Sequence, residues 1–139
     1  MLITVHNLLR WIILPVMLFV LVRAYMGWMG KKPFAKIDNA FGGALIGLAH
    51  LQLLIGLIIY FSNDFFALLK AEGTMKDATA RLLALEHPLT MIIAIVVLQL
   101  GRTFSKKAAN DEARFKTIAI YTTISLLLIL ARQINWNFL

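Results

Sequence analysis

Three histidines interrupt otherwise apolar stretches of this chain: His6, His50 and His87. An ionisable side chain inside a membrane-spanning segment is costly, so it usually faces the protein interior and has a function. Imidazole is a common axial ligand of haem iron, and helices that face each other across a bundle can present two of them. The chain has no cysteine, which excludes thiolate metal sites, iron–sulfur clusters and covalent haem attachment. These residue types therefore point to haem b, held without a covalent link.

Composition places these histidines in a membrane. Of the 139 residues, 60% are hydrophobic and only 15% are charged, which is too apolar for a soluble domain. Four apolar runs, at roughly 3–28, 39–62, 80–101 and 116–137, are long enough at about 1.5 Å per residue to cross a hydrocarbon core of about 30 Å. We therefore predict an all-α fold, an integral membrane up-and-down four-helix bundle in which residues 1–139 form one domain. The lipid bilayer is its first expected partner.

The distribution of charge predicts the orientation of this bundle. The first and third loops hold eight Lys and Arg residues, whereas the second holds three, balanced by three acidic residues. The positive-inside rule then places the first and third loops in the cytoplasm and both termini outside, as expected in a bacterial inner membrane. The net charge of +7 has the same explanation, so nucleic acid is not an expected partner. Apolar residues in the second loop, from Asn63 to Ala78, predict that it lies along the outer surface and caps the bundle.

Counting depth along the helices selects one pair of histidines. With Arg23 and Arg102 at the cytoplasmic edge, His6 and His87 both lie about 5–8 Å below the outer edge, and His50 lies about 15 Å down. Helical side chains lean toward their own N-terminus, so His6 and His87 lean outward while His50 leans inward. We predict His6 and His87 as the axial ligands. His50 is the alternative ligand, or a hydrogen-bonding partner for a quinone.

Four further residues fit the other needs of a haem. Gly43 and Gly47 share a face of the second helix with His50 and could clear space for the macrocycle, although such glycine pairs also serve plain helix packing. Arg10 and Arg132 lie near the outer surface. They could neutralise the propionates, or only extend toward the membrane surface.

Two features bear on how the helices are arranged. Pro88 removes the backbone hydrogen bond to Ala84 and predicts a bend in the third helix beside His87. In addition, each helical hairpin carries a histidine, then an arginine and then a pair of adjacent lysines, which suggests an internal repeat. Two hairpins of like orientation would place helices one and three on one diagonal of the bundle.

Several segments resemble a known group of proteins. His6-Asn7-Leu8-Leu9-Arg10-Trp11, the run Ala49–Leu57, Glu86-His87 and Gly101-Arg102 are similar to small four-helix bacterial membrane proteins labelled cytochrome b. The likeness spans nearly the whole chain and implies a haem b bundle. The spacing of His6, Arg10 and His87 also looks distantly like half of a haem A synthase bundle, but the Glu-x-x-His-Arg pattern of that enzyme is absent here.

We therefore predict a membrane-embedded b-type haem protein that transfers electrons as a subunit of a larger respiratory or redox complex. A subunit fits better than a stand-alone enzyme, because the sequence has no nicotinamide or flavin fingerprint. Other membrane subunits are expected partners, and a quinone is a further possible cofactor. Two alternatives stay open: a structural or assembly subunit without cofactor, and a protein that modifies or delivers haem.

Overall fold

The computed structural model describes residues 2–132 of the chain. In chain order these form α1 (Leu2–Gly30), α2 (Lys36–Ser62), α3 (Phe65–Lys70), a 3-10 turn (Thr74–Lys76), α4 (Ala78–Arg81), a π turn (Leu82–Glu86), α5 (His87–Lys106) and α6 (Asp111–Ala131). No strand occurs between residues 2 and 132. The predicted all-α fold is confirmed.

Four helical segments are long and apolar enough to cross a bilayer: Leu2–Gly30, Lys36–Ser62, Ala78–Lys106 and Asp111–Ala131. Each exposes large apolar side chains on its outer face, for example Leu18, Leu54, Val96 and Leu127. Such a surface suits lipid and would be unusual in water. The chain is therefore a multi-pass membrane protein.

Each of the four helical segments begins before its predicted span, because charged residues mark the edge of the hydrocarbon and not the end of a helix. The last of them, α6, begins at Asp111, five residues before its predicted span. Its start is fixed by Asn110, whose side-chain oxygen accepts a hydrogen bond from the backbone N–H of Ala113 at 2.8 Å. The end of the predicted fourth span, 133–137, lies outside the described residues.

The four long helices pack in a ring in the order α1, α2, α5, α6. Helices α1 and α5 therefore occupy one diagonal, as the repeat predicted. Gln52 bonds the backbone of His6 near one end of α2, and Asp38 pairs with Arg23 near the other, so α1 and α2 are antiparallel. The same holds for α5 and α6. We call the end that carries His6 and His87 the histidine end, and the end that carries Gly30, Lys36, Lys106 and Asp111 the basic end.

Small residues let the helices approach closely inside the ring. Ala94, Ala119 and Ser125 are fully buried, and the hydroxyl of Ser125 donates to the carbonyl of Ala94 at 2.9 Å. Such close contacts and interhelical hydrogen bonds are the main sources of helix association in lipid, where the hydrophobic effect does not act between helices.

Pro88 distorts the start of the third spanning segment. A proline at this position has no N–H for the carbonyl of Ala84, and the backbone just before it forms the π turn. The hydroxyl of Tyr60, from α2, donates to that carbonyl at 2.6 Å. The Tyr60 hydroxyl thus satisfies the Ala84 carbonyl in place of the missing proline N–H. A carbonyl buried in a membrane needs such a donor, because no water is present to supply one.

The second loop covers part of the histidine end, as predicted. Helix α3 packs against the end of α2 and against the π turn. The ring centroid of Phe65 lies 5.9 Å from that of Tyr60, and the ring centroid of Phe66 lies 6.0 Å from that of Phe61. These aromatic contacts hold the loop over the bundle.

Candidate functional site

The fold brings His6 and His87 together inside the histidine end. Their ring centroids lie 6.5 Å apart, and the ring planes make an angle of 81°. His6 comes from the second turn of α1 and His87 opens α5, so the two rings are presented by diagonally opposite helices. The two histidines that the sequence pairs by depth thus lie close together at one end of the bundle.

The ring of His87 is oriented by a hydrogen bond to the backbone at the end of α6. Its Nδ1 lies 2.7 Å from the backbone carbonyl oxygen of Arg132. A carbonyl can only accept a hydrogen bond, so Nδ1 carries the proton and donates. In the neutral ring, Nε2 then keeps its lone pair. Histidines that bind metals commonly have this arrangement, with the second ring nitrogen fixed by a carbonyl.

His6 lies in a narrow space against α2. Gly56 makes this approach possible, because a Cβ at that position would lie 3.2 Å from Cε1 of His6. The side chain of Gln52 donates to the backbone carbonyl of His6 at 2.8 Å. Nδ1 of His6 and Oε1 of Gln52 are both buried and have no hydrogen-bond partner among the described residues. Buried polar atoms of this kind are normally paired, so this part of the bundle has unused bonding capacity.

Arg10 and Arg132 both lie near the histidine pair, in different surroundings. Arg10 follows His6 by one turn of α1, on the core side, and is 8% exposed. Its guanidinium carbon lies 5.3 Å from the ring centroid of Trp11, and its charge is within electrostatic range of both imidazoles. Arg132 caps α6 at the histidine end, where its Nε is 3.7 Å from a carboxylate oxygen of Glu86. The site therefore has one buried and one exposed cation.

Three predicted site residues lie apart from this pair. His50 is exposed on the outer face of α2, and its Nδ1 donates to the carbonyl of Ile46 in the same helix at 2.8 Å. Gly47 is exposed as well, and a Cβ there would have nothing within 4 Å. Gly43 lies at the basic end, where its Cβ would be 3.2 Å from a guanidinium nitrogen of Arg102. Gly43 and Gly47 therefore do not form a slot beside the two histidines.

Gly56, which the sequence prediction did not include among the site residues, leaves room for the His6 ring. It lies 13 residues after Gly43, roughly 20 Å further along the helix. Gln52, Gly56 and Tyr60 follow one another at intervals of four and so share one face of α2, which is the inner face. That interval, with its one amide side chain, is the signal in the sequence that could have identified this face.

The donor set suits a haem better than a bare metal ion. Within residues 2–132 no group of three or more His, Cys, Asp or Glu side chains could hold an ion. Haem iron takes four ligands from the porphyrin and needs only the two axial ones from protein. Metal–imidazole bonds of about 2 Å place the centroids of two opposed imidazoles roughly 6 Å apart. The observed 6.5 Å is close to this requirement.

Comparison with protein-family models, with curated proteins and with solved structures finds no match to this chain. The resemblance to small four-helix proteins labelled cytochrome b therefore stays a prediction.

Proposed function

We propose that this chain is a membrane-embedded b-type haem protein that transfers electrons, with His6 and His87 as its axial ligands. The observation that carries the proposal is the 6.5 Å separation of two imidazoles from diagonally opposite helices. Bound haem would supply a one-electron carrier inside the bilayer. The protein would supply the ligands, the surrounding charge and the exclusion of water.

Each residue of the site has a distinct part in this proposal. The carbonyl of Arg132 orients the ring of His87 and leaves Nε2 available as a ligand atom. Gly56 keeps α2 clear of His6, whose ring nitrogen Nδ1 is buried without a partner among the described residues. The guanidinium groups of Arg10 and Arg132 would offset the negative charge of the propionates.

The proposal includes a location and partners. Eight Lys and Arg residues in the first and third loops lie at the basic end, which we place on the cytoplasmic side of a bacterial inner membrane. The histidine end then faces outward. In the described part of the chain, the longest segment between spans runs from 63 to 77, which is too short for a redox domain. Electrons would be exchanged with other membrane subunits or with a quinone.

The test is an absorption spectrum of the detergent-purified, full-length protein supplied with haem, recorded reduced with dithionite minus oxidised. A pyridine haemochrome assay gives haem type and stoichiometry. We expect sharp reduced bands of six-coordinate haem b and about one haem per chain. A folded preparation that takes up no haem would overturn the proposal.

Three histidine variants make the test specific, because the chain offers its own control. We expect His6→Ala and His87→Ala each to abolish the six-coordinate spectrum. His50→Ala should leave it unchanged, since this ring is exposed on the outer face of α2. Equal haem content and identical spectra in all three variants would remove the ligand assignment.

A specific observation also favours the cofactor-free alternative. The polar groups of the histidine end already join helices, since Gln52 bonds the backbone of His6 and His87 bonds that of Arg132. If this were their only role, His87→Ala would lower the free energy of unfolding by about 0.6–1.7 kcal/mol in a protein that never binds haem. The haem-delivery alternative predicts an exchangeable haem with an open axial position, so that the reduced wild-type protein would bind carbon monoxide.

A further inference from the structure

The four long helices enclose a cavity of about 550 Å³ near the basic end, far from the two histidines. Its floor is mainly apolar, with one side chain from each helix, Val20, Leu45, Leu98 and Ile118, beside the single hydroxyl of Thr122. Sites for small molecules typically measure about 300–1,000 Å³. The cavity is therefore large enough for part of an organic ligand.

The mouth of this cavity is strongly basic. Four cations line it: Lys36, Arg102, Lys106 and Arg114. No carboxylate is among its lining residues in the described part of the chain. The buried carboxylate of Asp38, nearby, forms an ion pair with Arg23, with contacts of 2.7 and 3.0 Å. Asp111 accepts a hydrogen bond from the backbone N–H of Phe34 at 3.1 Å. The positive charge at the mouth thus has no acidic side chain within the cavity wall to balance it.

Two arginines at the mouth are placed to receive an anion. The guanidinium of Arg102 donates to the backbone and side-chain oxygens of Asn39, at 3.4 and 3.2 Å, and lies directly against Gly42, where a Cβ would be 2.8 Å from Nη1. The Nε of Arg114 is buried and has no hydrogen-bond partner among the described residues. Arg102 is therefore held in position by α2, while Arg114 has an unused donor.

We infer that this cavity binds the phosphate headgroup of an anionic phospholipid, with part of an acyl chain against the apolar floor. Guanidinium groups match the geometry of phosphate, and basic pockets between membrane helices bind anionic headgroups. A free phosphate ion would satisfy the mouth but leave the apolar floor in contact with water, which is unfavourable. A phospholipid satisfies both parts. The inference does not depend on haem.

Native mass spectrometry of the purified full-length protein tests this binding. Phosphatidylglycerol and phosphatidylcholine with identical acyl chains are titrated separately, and inorganic phosphate is titrated as a third ligand. We expect phosphatidylglycerol to bind at least about tenfold more tightly than phosphatidylcholine. Equal affinity for the two lipids would overturn the inference. If inorganic phosphate binds as tightly as phosphatidylglycerol, the site belongs to the free ion and the lipid assignment is wrong.

Paired substitutions locate the lipid. Each cation near a headgroup contributes about fivefold in affinity, so Arg102→Gln with Arg114→Gln should weaken phosphatidylglycerol binding about 25-fold. Lys31→Gln with Lys32→Gln removes the same charge from the same end but outside the cavity, and should have little effect.

A second pair keeps the test decisive if the arginine variant does not fold. Lys36 and Lys106 line the mouth but are exposed, so Lys36→Gln with Lys106→Gln should leave the fold intact. We expect this pair also to weaken binding about 25-fold. Unchanged affinity in this folded variant would show that the lipid lies elsewhere.

Discussion

The contact between Gly27 of α1 and Phe115 of α6 shows how tightly the basic end is built. The ring of Phe115 is 2% exposed, and a Cβ at Gly27 would overlap three of its carbon atoms. Phe115 also packs against Phe34, at 5.1 Å between centroids, and Phe34 lines the basic cavity. Gly27→Ala therefore adds a methyl group that overlaps this ring, and Phe115→Ala removes the ring from the same contact.

The effects of Gly27→Ala and Phe115→Ala on the free energy of unfolding should not be additive. Phe115→Ala deletes a buried ring and should lower the free energy of unfolding by about 3–5 kcal/mol. Gly27→Ala gains about 1 kcal/mol of helix propensity, but its overlap with the ring costs about 1–3 kcal/mol. In the protein that keeps Phe115, this substitution should therefore lower the free energy of unfolding. Once the ring is gone the overlap disappears. Gly27→Ala should then stabilise the Phe115→Ala protein by about 1 kcal/mol.

The assay is reversible unfolding in mixed detergent micelles, followed by circular dichroism, for the wild type, the two single variants and the double variant. Gly47→Ala is the matched control, since a Cβ there meets nothing within 4 Å and the change should have the same effect in both backgrounds. If the effects of Gly27→Ala and Phe115→Ala add to within about 0.5 kcal/mol, the described contact is wrong. The same conclusion follows if Gly27→Ala stabilises the wild type.

Three further predictions concern single positions. Tyr60→Phe removes the donor that satisfies the carbonyl left free by the proline, so the free energy of unfolding should fall by about 1 kcal/mol in the same assay, and no fall would contradict the hydrogen bond. Ser125→Ala should lower it by about 0.6 kcal/mol, and a loss above about 2 kcal/mol would mean that the hydroxyl does more than donate to α5. Gly56→Val should displace the His6 ring and reduce haem affinity about tenfold or more, measured by haem titration, while Gly47→Val should leave it unchanged. This last result depends on the proposed haem binding.

Much of the histidine end could be predicted from the sequence alone. Hydrophobic length identified the four helices because the bilayer fixes how many residues must be apolar. The fixed rise of a helix then converted sequence distance into depth, which placed His6 and His87 at one height before any contact was known. The missing N–H of Pro88 likewise indicated an irregular backbone at Ala84.

What the sequence could not predict was the rotation of each helix about its own axis. In water, a polar face shows which side of a helix is outward, but α1 and α2 are apolar on nearly all sides, so the sequence does not show which face of α2 points inward. His50, Gly43 and Gly47 were therefore assigned to the interior face, whereas the structure turns Gln52, Gly56 and Tyr60 inward.

Only the tertiary structure decided the features that need several helices at once. The hydroxyl that satisfies the Ala84 carbonyl comes from Tyr60, 24 residues away, and the basic cavity takes its floor from all four long helices. The sequence determined that this chain crosses a membrane and predicted two histidines at similar depth, because length and helical rise are local properties. Which faces meet depends on packing between distant segments, where close approach at glycine, alanine and serine replaces the hydrophobic pattern as the guide.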